Sequence, residues 1–198
     1  EKSFIKKKKP KNLTIFHVTG LGAVDKYGLN HLNHDGLVSR VIGGNYGLQI
    51  PFMKNLIVGN KIEAYNFPQG ILSQMCRTMA SKQPGIITKV GLNTYMDPRI
   101  EGGKMNKKTK KNLIELIKIG GQEYLFYKAQ KPDVAIIRGT SIDNDGYVYM
   151  DHEATTREDL SIAQAVHNNG GVVICQFKKF IKKKYTNPHL AKIPAFLI

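Results

Sequence analysis

The feature that most constrains the fold is the alternation of short apolar runs with segments of helical periodicity. Apolar runs end at glycine in LTIFHVTG (13–20), GLVSRVIGG (36–44) and PDVAIIRGT (132–140). Between such runs, ILSQMCRTMAS (71–81) repeats apolar residues every four positions, which is typical of a helix that packs on a sheet. This alternation indicates an α/β protein. We therefore predict an open, mostly parallel sheet with flanking helices.

One segment departs from this alternation. LIELIKIGGQEYLFYK (113–128) contains two apolar runs joined by Gly120 and Gly121, which suit the positive φ angles of a tight hairpin turn. We expect an antiparallel hairpin inserted into the α/β pattern. By contrast, the continuous run within 132–140 indicates a central strand covered on both faces.

Three shorter segments give local predictions. TTREDLSIAQAVHNNGG (155–171) predicts a helix capped by Thr155 or Thr156. IPAFLI (193–198) predicts a further strand. In FPQG (67–70), a glutamine stands between proline and glycine, so we expect it on backbone that is neither helix nor sheet.

Length and charge limit the classes of protein. The 198 residues, 41% of them hydrophobic, are enough for one sizeable domain or at most two small ones. Since no domain linker is visible, we predict a single α/β domain over 1–198. The net charge of +15 makes a basic nucleic-acid-binding module an alternative function. However, the lysine runs are not interleaved with aromatic residues as a base-stacking surface would be. A solvated surface is therefore favoured, and nucleic acid is not an expected partner.

The remaining residue types argue against several other kinds of site. Cys76 and Cys175 lie far apart in apolar segments, which predicts reduced core residues of a cytoplasmic protein. No apolar stretch approaches the roughly 18 residues of a membrane span, so no membrane partner is expected. His31 with His34, and DNDG (143–146), lack further ligands, so we predict no metal site.

Two glutamates are candidates for a general base. Glu63 lies in a predicted strand, where alternation could direct it inward, and Glu153 precedes a predicted helix. A strand-edge charge and a surface carboxylate are the competing interpretations, and the sequence leaves both open.

Loops rich in glycine and small polar residues follow five of the apolar runs. In an open α/β sheet, ligands bind beyond the carboxyl ends of the strands. We therefore predict a ligand cleft built from the loops TGLGAVDKYGLNHLNHDG (19–36), VIGGNYG (41–47), FPQG (67–70), TKVGLNTYMDPR (88–99) and IRGTSIDNDG (137–146).

Four segments, in the same order along nearly the whole chain, carry a family resemblance. They are GLGAVDKYGLNHLNHDGLVSRVIGGNYG (20–47), NKIEAYNFPQGILSQMCR (60–77), GIITKVGLNTYMDPR (85–99) and IRGTSIDNDGYVYMDHEA (137–154). Together they resemble the family I coenzyme A transferases, with the propionate/acetate (short-chain acyl-CoA:carboxylate) branch most similar.

This resemblance implies a fold shared with glucosamine-phosphate and ribose-phosphate isomerases, and a ping-pong reaction. A glutamate attacks an acyl-CoA to give an acyl-glutamyl anhydride, and the released CoA thiolate then forms an enzyme-CoA thioester. The thioester passes CoA to an acceptor acid such as acetate or propionate. Coenzyme A is thus a substrate, and no tightly bound cofactor is expected. A sugar-phosphate isomerase-like enzyme is an alternative on the same fold, but its base and phosphate-binding side chains are not identifiable.

The family's nucleophile lies in a Glu-Asn-Gly segment that this chain does not contain. A glycine-rich loop expected before Leu13 is missing as well. The resemblance therefore implies an incomplete amino-terminal CoA-transferase domain, inactive alone. Its partner would be a carboxy-terminal half or second subunit that carries the nucleophile, in a homo-oligomer.

The resemblance also implies site residues. The amide of Gln69, in the Pro-Gln-Gly turn, would contribute to the oxyanion hole of the tetrahedral intermediates. Gly70, Gly91, Asn93 and Thr94 would line the substrate and CoA channel. Asn93 stands where the family has a small residue.

Overall fold

The computed structural model describes residues 2–22, 27–182 and 191–198. Within these ranges the α/β class is confirmed, since helices alternate with strands in both parallel and antiparallel sheets. In chain order the helices and strands are α1 (Lys2–Lys7), β1 (Leu13–His17), β2 (Val38–Gly43), α2 (Ile50–Phe52), β3 (Glu63–Asn66), α3 (Gln69–Ala80), β4 (Gly85–Thr88), β5 (Ile114–Ile119), β6 (Gln122–Lys128), β7 (Val134–Arg138), β8 (Ser141–Asp143), β9 (Val148–Tyr149), α4 (Asp159–Asn168), β10 (Val172–Gln176), β11 (Lys179–Ile181) and β12 (Ala191–Ile193). A π-helical segment, Met53–Val58, continues α2, and short 3-10 helices span Gly28–Leu32 and Ala195–Leu197.

The chain divides into two compact units. The first contains Glu1–Ser73 and Ile86–Lys128, and the second contains Gln74–Gly85 and Ala129–Ile198. This division describes how each unit is packed internally. It does not test whether the two units form one domain, so the single domain expected over 1–198 stays a prediction.

A parallel sheet of β1, β2 and β3 organises the first unit. Its register places His17 beside Gly43, and Gly43 beside Asn66, so the three strands end together at one edge. Apolar side chains of the sheet and its neighbouring helices form a core that includes Val41, Phe52, Leu56, Ile62 and Ala64. This core holds the backbone of the strands in register, and the loops that follow them therefore start from one edge.

The predicted antiparallel hairpin is confirmed in the first unit. Strands β5 and β6 pair from Ile114↔Tyr127 to Ile119↔Gln122. Gly120 and Gly121 form the turn with φ angles of 57° and 76°. These angles are costly for residues with a Cβ atom, which is why glycine suits both positions.

The helix predicted after FPQG is confirmed, but its start differs from expectation. Helix α3 begins at Gln69, and the main-chain N–H of Leu72 donates to the carbonyl oxygen of Pro68 at 3.1 Å. Gly70 lies in the first turn without a positive φ angle. The expectation that Gln69 lies outside regular structure is therefore wrong. Proline lacks an N–H and costs nothing at a helix start, so Pro68 opens the helix here.

Two local predictions for the second unit are wrong. Helix α4 begins at Asp159 with Glu158 at its N-cap position, so neither Thr155 nor Thr156 caps it. The Thr155 hydroxyl instead accepts a hydrogen bond from Arg157 Nε at 2.6 Å. The strand predicted over 193–198 ends at Ile193, because Pro194 cannot donate to a sheet ladder and a 3-10 helix follows it.

The parallel strands β7 and β10 have one covered face and one bare face. Helix α4 packs on the face that carries Ala135, Ile137 and Val173. The expectation of a strand covered on both faces is wrong for the part of the chain that the structure describes. On the opposite face the exposed fractions are 53% for Val134, 80% for Ile136, 61% for Val172 and 52% for Ile174. We call these four residues the bare face.

A membrane span is not found among the helices of the described residues, since none is both long and apolar enough to cross a bilayer.

A pair of glycine substitutions tests the helical assignment of Gly70. A Cβ atom at Gly70 would meet no atom within 4 Å. We expect Gly70→Ala to raise the free energy of unfolding by about 0.5 kcal/mol, since alanine favours a helix over glycine. Gly121→Ala, also in open space but at a positive φ angle, should lower it by about 1 kcal/mol. Urea unfolding of both variants measures this, and destabilisation by Gly70→Ala would contradict the helix start at Gln69.

Candidate functional site at the carboxyl edge of the parallel sheet

Three loops meet where β1, β2 and β3 end. Thr19 follows β1, Gly44 follows β2, and Gln69 follows β3 at the first position of α3. Gln69 Nε2 donates to Thr19 Oγ1 at 3.3 Å, which links the first and third loops directly. The structure thus brings together residues from three of the five predicted loops.

Gly44 is needed for the close approach of these loops. A Cβ atom at this position would lie 2.6 Å from Gln69 Cγ and 2.4 Å from the carbonyl oxygen of Val18. Both distances are shorter than real Cβ contacts. The absence of a side chain at Gly44 therefore lets the stem of Gln69 cross the end of β2.

Gln69 presents an uncharged donor at this edge. Its amide nitrogen carries two N–H groups. One donates to Thr19, and the side chain is exposed, so the second is accessible to a ligand. A neutral donor of this kind stabilises a negative charge that develops on a carbonyl oxygen.

The buried side chain of His17, the last residue of β1, holds the main chain of Thr19. Its Nδ1 lies 2.6 Å from the Thr19 carbonyl oxygen, and burial lowers the pKa of the imidazole. A neutral ring that donates from Nδ1 to a carbonyl leaves Nε2 unprotonated. Since the ring is 4% exposed and packs edge-to-face on Tyr46, it fixes the loop instead of facing a ligand.

Gly91, Asn93 and Thr94 lie together on the loop after β4. Thr94 Oγ1 donates to the Gly91 carbonyl oxygen at 2.7 Å, and Gly91 has a φ angle of 96°. Asn93 has a φ angle of 59°, a region in which asparagine is tolerated better than most residues. This conformation gives a physical reason for asparagine at the position where the family resemblance implies a small residue.

A buried carboxylate holds this loop. Asp97, whose side chain is 1% exposed, accepts hydrogen bonds from Arg99 Nε at 2.9 Å, from Arg99 Nη2 at 2.7 Å and from the Asn93 main-chain N–H at 3.1 Å. The Arg99 guanidinium holds the pKa of Asp97 well below its usual range. Arg99 Nη1 also donates to Glu123 at 3.0 Å. The loop that carries Asn93 and Thr94 is therefore fixed to β6.

The two candidate general bases are engaged in ion pairs. Glu63 pairs with Arg40, its register neighbour across β2 and β3. Glu153 lies 3.4 Å from Arg138 and accepts a hydrogen bond from Thr140. Both arrangements agree with the structural interpretation of these carboxylates.

Cys76 is buried and Cys175 is partly buried, so the predicted core position is confirmed for Cys76 alone. Cys76 and Cys175 are both thiols, and burial raises the pKa of Cys76 to about 12. His34 packs against Phe4 in a tilted arrangement, with ring centroids 6.0 Å apart. Across residues 2–22, 27–182 and 191–198, no three His, Cys, Asp or Glu side chains are grouped to hold a metal ion.

The sequence alone does not single out His17, Thr19 or Gly44. His17 ends β1, and Thr19 and Gly44 lie in predicted loops, but their contacts join residues up to 50 positions apart. Only the parallel register brings them to one edge, so local sequence signals were insufficient.

The fold and this edge define an α/β protein with a neutral hydrogen-bond donor at the carboxyl ends of parallel strands, a common place for a substrate site. The family model described as coenzyme A transferase matches residues 3–198. The chain therefore belongs to the coenzyme A transferase family, and the resemblance recognised in the sequence is confirmed.

Individual relatives agree with this assignment. Acetate CoA-transferase YdiF of Escherichia coli O157:H7 is 46% identical over 189 residues, which cover 96% of this chain and 35% of the relative. Caffeate CoA-transferase of Acetobacterium woodii is 41% identical over 189 residues, which cover 96% of this chain and 36% of the relative. Crystal structures of the Escherichia coli O157:H7 acyl-CoA transferase YdiF, as apoenzyme and as a thioester complex with CoA, match with a TM-score of 0.95, 43% identity and coverage of 100% of this chain and 38% of theirs. The chain thus spans about a third of the length of these curated relatives.

The hydrogen bonds that Asp97 accepts from Arg99 and Asn93, which we call the Asp97 clamp, predict that the folded chain loses stability in acid. Because the pKa of Asp97 is lowered in the folded state, its stabilisation is present above the unfolded pKa of about 4 and is lost as pH falls toward the folded value. Asp97→Asn should reduce stability near pH 7 and flatten the loss of stability below about pH 4. Asp35→Asn, at an exposed carboxylate paired with Lys61, is the matched control. Urea unfolding across this pH range measures the free energy of unfolding of each variant. If that free energy depends on pH equally in Asp97→Asn and the unsubstituted chain, the stabilising role of Asp97 is contradicted.

Proposed function

We propose that this chain is part of an enzyme that transfers coenzyme A between a short-chain acyl-CoA and a carboxylic acid of the acetate or propionate type. The observation that carries this proposal is the 46% sequence identity to an acetate CoA-transferase over 96% of this chain. The neutral hydrogen-bond donor of Gln69 at the carboxyl edge supports it. The solved thioester complex of YdiF with CoA supports coenzyme A as the substrate to be tested here.

In this proposal Gln69 stabilises the oxyanion. Attack of a carboxylate on the thioester carbonyl forms a C–O bond and moves the π electron pair to the carbonyl oxygen. The N–H of Gln69 that is not bonded to Thr19 donates to this oxygen. Collapse of the tetrahedral intermediate breaks the C–S bond and releases the CoA thiolate. That thiolate then attacks the glutamyl carbonyl of the resulting acyl-glutamyl anhydride, forming a C–S bond, and collapse breaks the anhydride C–O bond and releases the first acid as its carboxylate. Gln69 serves again in this step, because the same charge develops on the glutamyl carbonyl oxygen.

Gly70 and the loop of Gly91, Asn93 and Thr94 line the proposed channel. Asn93 and Thr94 are exposed on a loop that the Asp97 clamp keeps rigid. A fixed polar wall of this kind orients a substrate without adding a charge.

The nucleophilic glutamate of this proposal comes from a polypeptide segment outside the 198 residues. The carboxylates of Glu63 and Glu153 support this, since each is paired with an arginine. An arginine-paired carboxylate is held in its ion pair, which opposes its use as a nucleophile. A carboxy-terminal half or a second subunit is therefore the proposed source.

The bare face of β7 and β10 supports such a partner. Parallel strands are normally buried on both faces, and here Val134, Ile136, Val172 and Ile174 project together from one face. We propose that helices of the region present in the longer relatives cover this face. An assembly of several copies of the complete protein stays a prediction.

Substitution of Gln69 tests the proposed chemistry. In the complete protein, Gln69→Ala should lower turnover in CoA transfer from acetyl-CoA to propionate by about 10²-fold, because one oxyanion donor is lost. Gln83→Ala, at an exposed glutamine in the second unit, is the matched control and should leave turnover unchanged. Equal turnover of the Gln69→Ala variant and the unsubstituted enzyme would contradict the role of Gln69, whereas an inactive unsubstituted enzyme would contradict the reaction itself.

A charge on the bare face tests the proposed partner. Ile136→Glu should leave this chain folded, since Ile136 is 80% exposed, but should weaken association with the remaining polypeptide when both are supplied as separate pieces. Val58→Glu, at a side chain 71% exposed in the first unit, serves as control. Titration calorimetry measures the affinities, and equal binding by both variants would place the partner elsewhere.

A further inference from the structure

Asn66 lies at the junction of three loops. It is the last residue of β3, and its side-chain amide is within 3.2 Å of the carbonyl oxygens of Gly43 and Gly44 and within 3.0 Å of the Tyr95 hydroxyl. Two carbonyl oxygens can only accept hydrogen bonds, so the amide nitrogen must face them. In that orientation Asn66 Nδ2 donates to both glycine carbonyls, and Oδ1 faces the Tyr95 hydroxyl.

The main chain of Asn66 strengthens the same junction. Its N–H donates to the Gly103 carbonyl oxygen at 3.0 Å, and the Gly103 N–H donates to the Tyr95 carbonyl oxygen at 3.0 Å. The Tyr95 hydroxyl also lies 3.0 Å from the Asn66 carbonyl oxygen. Asn66 is therefore tied on one side to the end of β2 and on the other to the loop that carries Thr94.

We propose that Asn66 is a positioning residue that sets the place of Gln69 relative to the loop of Gly91–Thr94. It acts through Gly44, because a Cβ atom at Gly44 would lie only 2.6 Å from Gln69 Cγ. It also acts through Tyr95, which follows Thr94 directly in the chain. This inference rests on the proposed oxyanion role of Gln69 and assigns the geometry of that role to a residue that does not touch the substrate.

The requirement for an amide follows from the contacts. Aspartate has nearly the same shape, but it would place a carboxylate oxygen against the carbonyl oxygens of Gly43 and Gly44. Repulsion would separate the loops at the end of β2 from those at the end of β3. Leucine would fill the space without any of the three hydrogen bonds. Only a primary amide supplies donors on one side and an acceptor on the other.

The kinetic test is a double-mutant cycle in the complete enzyme. Asn66→Asp should lower kcat by roughly 10- to 100-fold with a smaller effect on KM, since misplacement of a catalytic group reduces transition-state stabilisation. In a Gln69→Ala background, Asn66→Asp should have almost no further effect on kcat. Asn169→Asp is the matched control, because Asn169 Nδ2 donates to the Pro132 carbonyl oxygen at 3.1 Å in the second unit.

A second readout does not depend on catalysis. In the 198-residue chain, the side-chain amide resonances of Gln69 should be dispersed in an NMR spectrum and should collapse toward random-coil values in Asn66→Asp but not in Asn169→Asp. This result supports the positioning role even if CoA transfer is not observed. Absence of CoA transfer by the unsubstituted enzyme would then contradict only the proposed function.

Two outcomes would overturn the inference. One is an unchanged kcat together with unchanged Gln69 resonances in Asn66→Asp. The other is an equal loss of kcat with and without Gln69, which would indicate a merely structural role. Should Asn66→Asp fail to fold, Tyr95→Phe removes the hydroxyl and retains the ring. It should shift the Gln69 resonances and lower kcat by about threefold, and no effect on either would equally overturn the proposal.

Discussion

The parallel pairing of β1, β2 and β3 is the constraint on which the candidate site depends. Its register aligns His17, Gly43 and Asn66, so three chain segments distant in sequence leave the sheet at one edge. Hydrogen bonds between the strands are satisfied within the sheet up to this edge, and beyond it the loops must find other partners. They find them in each other: the main-chain N–H of Phe67 donates to the Gly43 carbonyl oxygen, and Gln69 Nε2 donates to Thr19 Oγ1.

Close packing at this edge depends on a few residues with special properties. Gly44 has no side chain to displace Gln69, and Asn93 accepts a positive φ angle. Asp97 compensates for the burial of its charge by accepting several hydrogen bonds, mainly from Arg99. The donor that Gln69 presents at the edge is therefore neutral, while the charge of Asp97 is compensated by Arg99. Such an arrangement favours stabilisation of a transient negative charge over binding of a permanent one.

The sequence predicted those features that depend on neighbouring residues. The α/β alternation, the Gly120–Gly121 hairpin and the helix after FPQG all follow from local patterns, and all are present. The start of α3 at Gln69 is not evident from the sequence because proline and glycine together suggest a turn, although proline is also common where helices start. The bare face was missed because an apolar run shows that a strand can be covered but not what covers it. The contacts of Thr19, Gly44 and Gln69 required the register itself.

The central claim is that Gln69 binds the oxygen of the reacting carbonyl at the carboxyl edge of this sheet. A crystal structure of the complete protein with a bound short-chain acyl-CoA tests it most directly. In that structure the thioester carbonyl oxygen should lie within about 3.2 Å of Gln69 Nε2, a normal hydrogen-bond distance, and close to the loop of Gly91–Thr94. A carbonyl oxygen bound at another group of loops, beyond hydrogen-bond distance from Gln69, would contradict it.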